Sequence, residues 1–548
     1  MTAANLANEG AILGRLMLAF RGTTVPGWLR ERLHAAPAAG LTLFREPNLR
    51  TPRQVQRLTT GLQAAARARP GSDGLPLLIA TDQEGGQLLA LGEGFTPFAG
   101  PMAIGATGDA DLAERVGRAI GRELRAVGVN VNYAPVLDVA VNPANPSLGI
   151  RSFGDDQFKT GLLAAAWLGG LQSAGVAGTG KHFPGKGGAG VDTHHALAIV
   201  DRSREDLDAL ELVPFKAAIT AGLKLMMSGH FASPGLTGNR GLPATLSRQV
   251  MDELLRDELG FEGVSITDAL DMKALPQDAT QAVDVLAAVR AGVDLLLATP
   301  DRGAQRRIES ALRRAAAVEL FDPARLRVSA ARIEALRRWL ASFEDPPVEV
   351  VGSTEHGALA RELAERSLTL VRDEVRLLPL RLSPEARIAA IMPTPRDLTP
   401  ADTSSYVAPD LAAALRAHHP AVDEIVTFHP PTEHEVAEIV AGADRYDAFV
   451  VGTISAVAGS TQAALVDGLL ETGRPVVTVA LRTPWDLAAY PRAATHVCTY
   501  SILPESMAAL ASALFGARLG AAGGGSAFPG RLPVSIAGIA ARGHGQAA

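Results

Sequence analysis

Three stretches of this chain carry side chains spaced for chemistry. The first, Gly180-Lys181-His182-Phe183-Pro184-Gly185-Lys186-Gly187-Gly188-Ala189-Gly190, sets a lysine and a histidine where a small-residue run (Ala174 to Thr179) should end as a buried strand. Its glycines and proline suit neither helix nor strand. The second, Asp192-Thr193-His194-His195, puts a carboxylate two residues before an imidazole. The third, Gly263 to Met272, sets Asp268 directly after an apolar run. A glycine-rich loop that begins on Lys-His and closes on Asp-x-His is costly to order and poor for packing, so it reads as chemistry. The competing reading is a surface loop with incidental histidines.

A carboxylate fixed at a strand end can attack an anomeric carbon and form a glycosyl ester, the role expected of Asp268. The structural alternative is a helix cap, for which Asp271 is equally well placed. An imidazole titrates near pH 6.5 (about the unperturbed value), so His194 suits proton donation to a leaving oxygen and later removal of a proton from water. Asp192 would fix its tautomer and stabilise the imidazolium. A histidine base is not anionic and repels an incoming phosphate less than a carboxylate would, which leaves phosphorolysis open. His195 is the rival base. A metal site built from His182, Asp192, His194 and His195 matches no familiar ligand spacing, so neither metal nor cofactor is expected. Asp82, Arg151, Lys181 and His182 are polar groups suited to fork onto sugar hydroxyls, although Arg151 equally suits a structural ion pair.

These residues need a scaffold that brings them together. Strand-like runs fall at Leu16–Phe20, Leu41–Phe44, Leu77–Thr81, Val129–Tyr133, Gly175–Thr179, Leu225–Ser228, Val264–Thr267 and Val293–Leu297. Amphipathic stretches lie between them, among them Pro52–Arg67, Asp111–Ala126, Asp206–Ala221, Ser247–Leu259 (with Ser247 as N-cap) and Gln281–Ala291. Eight strand–helix repeats predict an α/β fold opening with a (β/α)8 TIM-type barrel, with a doubly wound sheet as the alternative. Asp82, Asn132 and Asp138, Lys181 and His182, His230, and Asp268 each follow a predicted strand, and in a barrel those ends share one rim. The expected organisation is a barrel over residues 1–341, a Pro-rich linker over 342–354 and a smaller parallel-sheet α/β sandwich over 355–548. The second unit lacks a glycine-rich nucleotide fingerprint. Gly520 to Gly525 reads as a flexible tract and Gly543 to Ala548 as a frayed end.

At 548 residues two domains are the natural expectation, and 47% hydrophobic with 20% charged residues describes a globular protein. A net charge of -6 argues against a nucleic-acid partner. The single cysteine, Cys498, excludes an internal disulfide framework and a cysteine zinc site. Neither a secretory leader nor a membrane span is evident, so the expected location is cytoplasmic and the expected partner a small carbohydrate, with the oligomeric state unspecified.

The chain resembles glycoside hydrolase family 3, in its β-N-acetylhexosaminidase branch. The likeness rests on TDQEGG (Thr81 to Gly86), NYAPVLDV (Asn132 to Val139), GIRSFG (Gly149 to Gly154), KHFPGKG (Lys181 to Gly187), DTHH (Asp192 to His195) and TDALDM (Thr267 to Met272). ALRTPWDL (Ala480 to Leu487) and GRLPVSI (Gly530 to Ile536) extend it into the C-terminal sandwich of two-domain members. The resemblance implies a retaining enzyme with Asp268 as nucleophile and an Asp192–His194 dyad as acid/base. It also implies sugar contacts from Asp82, Arg151, Lys181 and His182, and no metal. The branch includes peptidoglycan-recycling enzymes and some phosphorylases. Gln87, Ala90, Lys186 and Gly188 depart from its usual pattern and point to a shifted substrate preference. A β-glycosidase or phosphorylase, and a sugar-binding protein without turnover, are the remaining readings.

Overall fold

The computed structural model describes residues 3–278, 280–517 and 526–546. Eight short strands run Leu16–Leu18 (β1), Gly40–Thr42 (β2), Leu78–Thr81 (β3), Val131–Asn132 (β4), Ala177–Phe183 (β5), Leu225–Ser228 (β6), Val264–Thr267 (β7) and Leu296–Leu297 (β8). All pair in parallel, in the order β7-β6-β5-β4-β3-β2-β1-β8. A parallel bridge between Ile266 and Leu295 closes β7 onto β8, so the sheet is a barrel and not an open doubly wound sheet. Every residue of these strands is buried, as expected of parallel strands covered on both faces. The helix Pro323–Ala341 plugs one end. Its Ile333, Leu336 and Leu340 pack with Leu78, Leu225 and Val264, the first residues of their strands. The carboxyl ends of the strands are therefore left for a site.

Several elements differ from the expectation for a physical reason. β5 continues through Lys181 and His182 to Phe183, because Val136 and Ser228 on its neighbours still pair with it. The run Asp206–Ala221 is two helices, Arg204–Ala209 and Leu212–Thr220, broken where buried Glu211 turns toward Arg202. Ser247 does not cap: among the described residues the π-helical segment Gln249–Glu258 makes no side-chain cap bond and the buried Ser247 hydroxyl finds no partner.

A second sheet holds Thr369–Asp373 (β9), Ile388–Pro393 (β10), Val422–Thr427 (β11), Ala448–Thr453 (β12), Val476–Ala480 (β13) and Thr495–Cys498 (β14), in the order β9-β14-β13-β12-β10-β11. Five strands are parallel, as expected, and the edge strand β9 adds to β14 antiparallel. The tail is not frayed through Gln546. Gly543 N–H donates to the Leu532 carbonyl and Gln546 N–H to that of Leu370, both at 2.8 Å. The tract Gly520 to Gly525 and the last two residues lie outside the described residues. Among the described residues no helix is long and apolar enough to cross a membrane.

Buried polar contacts join the two units. Glu123, on the barrel helix Ala110–Ala126, accepts from Thr96 N–H (3.0 Å) and hydroxyl (2.5 Å), from Gly352 N–H (3.1 Å) and from His356 Nδ1 (2.8 Å). Truncating it strands buried donors on both sides. Glu123→Ala is expected to lower the unfolding free energy by about 1–3 kcal/mol, read as an earlier urea midpoint. An unchanged midpoint would show that this contact does not hold the units together.

Candidate active site

The strand ends converge on one cavity of about 290 Å³, lined by Asp82, Arg151, Lys181, His182, His194 and Asp268. Six of the seven residues singled out from the sequence therefore meet in one place. The seventh, Asp192, stands behind His194.

Asp82 follows β3 and opens a small hairpin of Gln83–Gly85 and Leu88–Leu89. The Asn132 side-chain amide fixes this turn, accepting from Gln83 N–H and donating to the Gln83 carbonyl, both at 2.9 Å. The hairpin carries Glu84, a buried carboxylate that sequence reasoning passed over although it lies two residues beyond Asp82. Arg151 grips Glu84 through two hydrogen bonds of 2.8 Å, and Lys181 Nζ lies 2.6 Å from Glu84 and 2.8 Å from Asp82. Burial opposes ionisation of Glu84, but the two cations prevail and bring its pKa from 4.5 to about 2. Arg151 thus lines the cavity and also forms the buried ion pair.

His182 is oriented by Asp138, whose carboxylate lies 2.7 Å from Nδ1 and also accepts from Lys186 N–H at 2.7 Å. Burial and the charges of Lys186, Arg151 and Lys181 hold the His182 pKa well below its ordinary value. With Nδ1–H given to Asp138, the neutral ring keeps Nε2 as an acceptor.

The glycine-rich loop is pinned along its length. Asn145 Nδ2 donates to the carbonyls of Lys186 (2.9 Å) and Gly187 (3.1 Å), and Asn142 Nδ2 to that of Ala189 (3.0 Å). Gly185 has φ +115°, and a Cβ at Gly187 would collide with the Val139 carbonyl. At the end of the loop Asp192 accepts from His194 twice, from the backbone N–H at 2.9 Å and from Nδ1 at 2.7 Å. Burial works against the Asp192 carboxylate, yet these bonds hold its pKa at about 2. His195, the rival base, is exposed, and its side chain makes no hydrogen bond among the described residues. His194, in contrast, lines the cavity and is held by Asp192.

Asp268 follows β7, and its Oδ1 accepts from Ala269 N–H at 2.8 Å. The next helix begins only at Gln281, so Asp268 caps nothing. Burial opposes its ionisation, but His230, Lys186, His194 and the Ala269 N–H outweigh it and lower its pKa. Lys186 is buried, and its Nζ finds no hydrogen-bond partner among the described residues. Among the described residues no group of three or more His, Cys, Asp or Glu is arranged to hold a metal ion.

The second unit closes the mouth. The segment after β10 brings Asp397, Pro400, Ala401, Asp402, Thr403 and Tyr406 to the cavity. It is fixed there by Thr403, whose N–H donates to the Gln87 carbonyl at 2.7 Å and whose hydroxyl accepts from Leu89 N–H at 3.0 Å. Arg482 joins Asp402 at 2.7 Å and also Gln87. Of the two departures in this region, Ala90 lines the cavity, whereas Gln87 serves the contact between units.

The clamp on Glu84 makes an acid-stability prediction. A carboxylate whose pKa is depressed on folding stabilises the fold above pH 4.5, and that contribution is lost as pH falls toward about 2. Glu84→Gln leaves Arg151 and Lys181 without their shared counter-ion. It should cost about 3–5 kcal/mol at neutral pH and flatten the acid limb in urea titrations run across pH. Wild-type acid sensitivity in the variant would contradict the clamp.

Residues 25–336 match the glycosyl hydrolase family 3 N terminal domain. β-Hexosaminidase A of Pseudoalteromonas piscicida is 32% identical over 510 residues, covering 85% of this chain and 83% of the relative. A β-N-acetylglucosaminidase/β-glucosidase of Cellulomonas fimi is 27% identical over 538 residues, 93% of this chain and 92% of the relative. Among solved structures, a family 3 β-N-acetylglucosaminidase from Paenibacillus sp. str. FPU-7 superposes with a TM-score of 0.88 at 34% identity, covering 98% of this chain and 99% of that one.

Proposed function

The chain belongs to glycosyl hydrolase family 3 and is a glycosidase, and we propose that it releases terminal β-linked N-acetylglucosamine with retention, through a glycosyl ester on Asp268. The observation that carries this reading is the placing of Asp268 and the Asp192-bound His194 on one cavity. The names of the relatives that span most of the chain support the N-acetylglucosaminide as substrate.

In the first step the Asp268 carboxylate attacks the anomeric carbon. The bond to the leaving oxygen breaks, and His194 Nε2–H gives that oxygen its proton. Asp192, still ionised at neutral pH, holds Nδ1–H throughout and stabilises the imidazolium before donation. In the second step neutral His194 takes a proton from water, the resulting hydroxide attacks the anomeric carbon, and Asp268 leaves as carboxylate. Two inversions give retention. Asp82, Lys181 and His182 face the cavity and offer acceptors and a donor to sugar hydroxyls, while Glu84, gripped by Arg151, holds Lys181, which in turn holds Asp82, and Asp138 holds His182.

Asp268→Ala should abolish turnover of an aryl N-acetyl-β-glucosaminide, with the loss in kcat. His194→Ala should lose about 10²–10⁴-fold when the leaving group is a poor one, and much less when it is an acidic phenol that departs unprotonated. His195→Ala is the control and should behave like wild type. Equal loss in the His194 variant on good and poor leaving groups would remove His194 from acid catalysis. Running the reaction with phosphate and assaying for sugar 1-phosphate separates hydrolysis, which is expected, from phosphorolysis.

A further inference from the structure

A second cleft, of about 740 Å³, lies at the other end of the barrel, beside the plugging helix Pro323–Ala341 and at the amino ends of β1 and β8. It shares no lining residue with the catalytic cavity. Five arginines line it, Arg15, Arg248, Arg290, Arg325 and Arg332, against three carboxylates, Asp252, Asp294 and Asp322. Asp252 is shared by Arg248, at 3.2 Å, and Arg325, and Glu253 stands 3.8 Å from Arg248. Asp322 caps the plugging helix, accepting from Ala324 N–H at 2.8 Å. Asp294 serves Arg256, behind the wall of the cleft, at 2.7 Å and Arg332 at 3.6 Å. Arg290 is exposed and forms no ion pair among the described residues. With Arg256 and Glu253 included, six guanidinium groups meet four carboxylates, a surplus of two positive charges.

The surplus reaches the buried wall. Arg15 is 3% exposed; its Nη1 donates to the Val293 carbonyl at 3.1 Å, and its Nε finds no partner among the described residues. Burial opposes its charge, Asp294 offsets only part of that and Arg332 adds to it, bringing the Arg15 pKa from 12.5 to about 10. Ser329, on the plugging helix, is 4% exposed, and its hydroxyl also lacks a partner among the described residues. Buried donors without partners are costly, and a cationic wall left short of counter-charge is a site for an anion. The rest of the wall is apolar. Phe321 is buried there, and Leu320 and Val328 stand exposed beside it.

We propose that this cleft binds a phosphate monoester with an apolar or aromatic body, its phosphate among the arginines and its body on Leu320, Phe321 and Val328. A monoester carries close to two negative charges above its second pKa of about 6, which matches the surplus. Guanidinium groups fork onto phosphate oxygens with two parallel hydrogen bonds. The volume is that of a pocket for one small molecule. The site is independent of the sugar chemistry at the opposite end of the barrel.

Titration calorimetry of the full chain tests this with phenyl phosphate, inorganic phosphate and phenol, on wild type, Arg290→Gln and Arg332→Gln. Phenyl phosphate should bind wild type at one site, about tenfold more tightly than inorganic phosphate, because only the ester covers the apolar wall. Phenol should not bind. Each arginine variant should weaken phenyl phosphate about tenfold. Arg290→Gln should melt with wild type, since that side chain is exposed and unpaired among the described residues, so its loss of binding is not a loss of fold. Saturating N-acetylglucosamine should leave the affinity for phenyl phosphate unchanged. Inorganic phosphate binding as tightly as phenyl phosphate would overturn the ester in favour of the free ion. No binding of phenyl phosphate, wild-type affinity in both variants, or displacement by N-acetylglucosamine would overturn the site.

Discussion

The site depends on a buried cluster of opposite charges. Glu84 lies buried between Arg151 and Lys181, and Lys181 in turn reaches Asp82. Removing such groups from water is expensive, and only close pairing with saturated hydrogen bonds offsets the cost. Here the pairing is bidentate on one side and bridged on the other, and it ties the hairpin after β3, the turn carrying Arg151 and the strand β5 into one body. The cavity-facing side chains of Asp82 and Lys181 are therefore held by partners within the protein, as Asp138 holds His182. That is the physical meaning of a preorganised site.

The second constraint concerns the acid/base. A carboxylate in that position must be kept protonated by its surroundings. A histidine leaned against an ionised aspartate needs no such device, because its protonated ring is itself an acid and its neutral ring a base. The chain places that histidine on a loop of small residues. The loop fits because Gly185 adopts a positive φ and Gly187 lies against the Val139 carbonyl, and it stays put because Asn142 and Asn145 hold its carbonyls. The second unit contributes Asp397 to Tyr406 to the lining of the mouth, so it does more than buttress the barrel.

Much of this was legible in the sequence, for reasons that differ by element. Pro52–Arg67 and Gln281–Ala291 appear where the periodicity put them, since one buried face repeats every third or fourth residue. β6 and β7 match their apolar runs because both faces are buried. Asp268, Lys181 and His182 were recognisable because each follows or ends such a run, and strand ends share a rim in a barrel, whereas His194 stood out through its spacing from Asp192. What was not legible depends on partners distant in the chain. Strand direction leaves no mark in β9 itself. Glu84 looked like an ordinary hairpin residue until Arg151 and Lys181 met it. Gly543 to Gln546 is held by Leu532 and Leu370. Tyr406 and Asp397 sit in a Pro-, Asp- and Ser-rich segment that reads only as a loop, and nothing local says which rim it covers. His194 and His195 were distinguishable only once Asp192 was seen to grip the first.

The central claim is that Asp268 and His194 act on the same bond in succession. It is tested most directly by trapping. In His194→Ala, an N-acetyl-β-glucosaminide with a dinitrophenyl leaving group can form the glycosyl ester without acid assistance, but its hydrolysis lacks a base. Mass spectrometry of the protease-digested protein should then find one sugar on the peptide containing Asp268, lost on addition of azide as the glycosyl azide forms with retained configuration. A sugar on another residue, or steady turnover with no adduct as expected of a substrate-assisted route, would contradict the account.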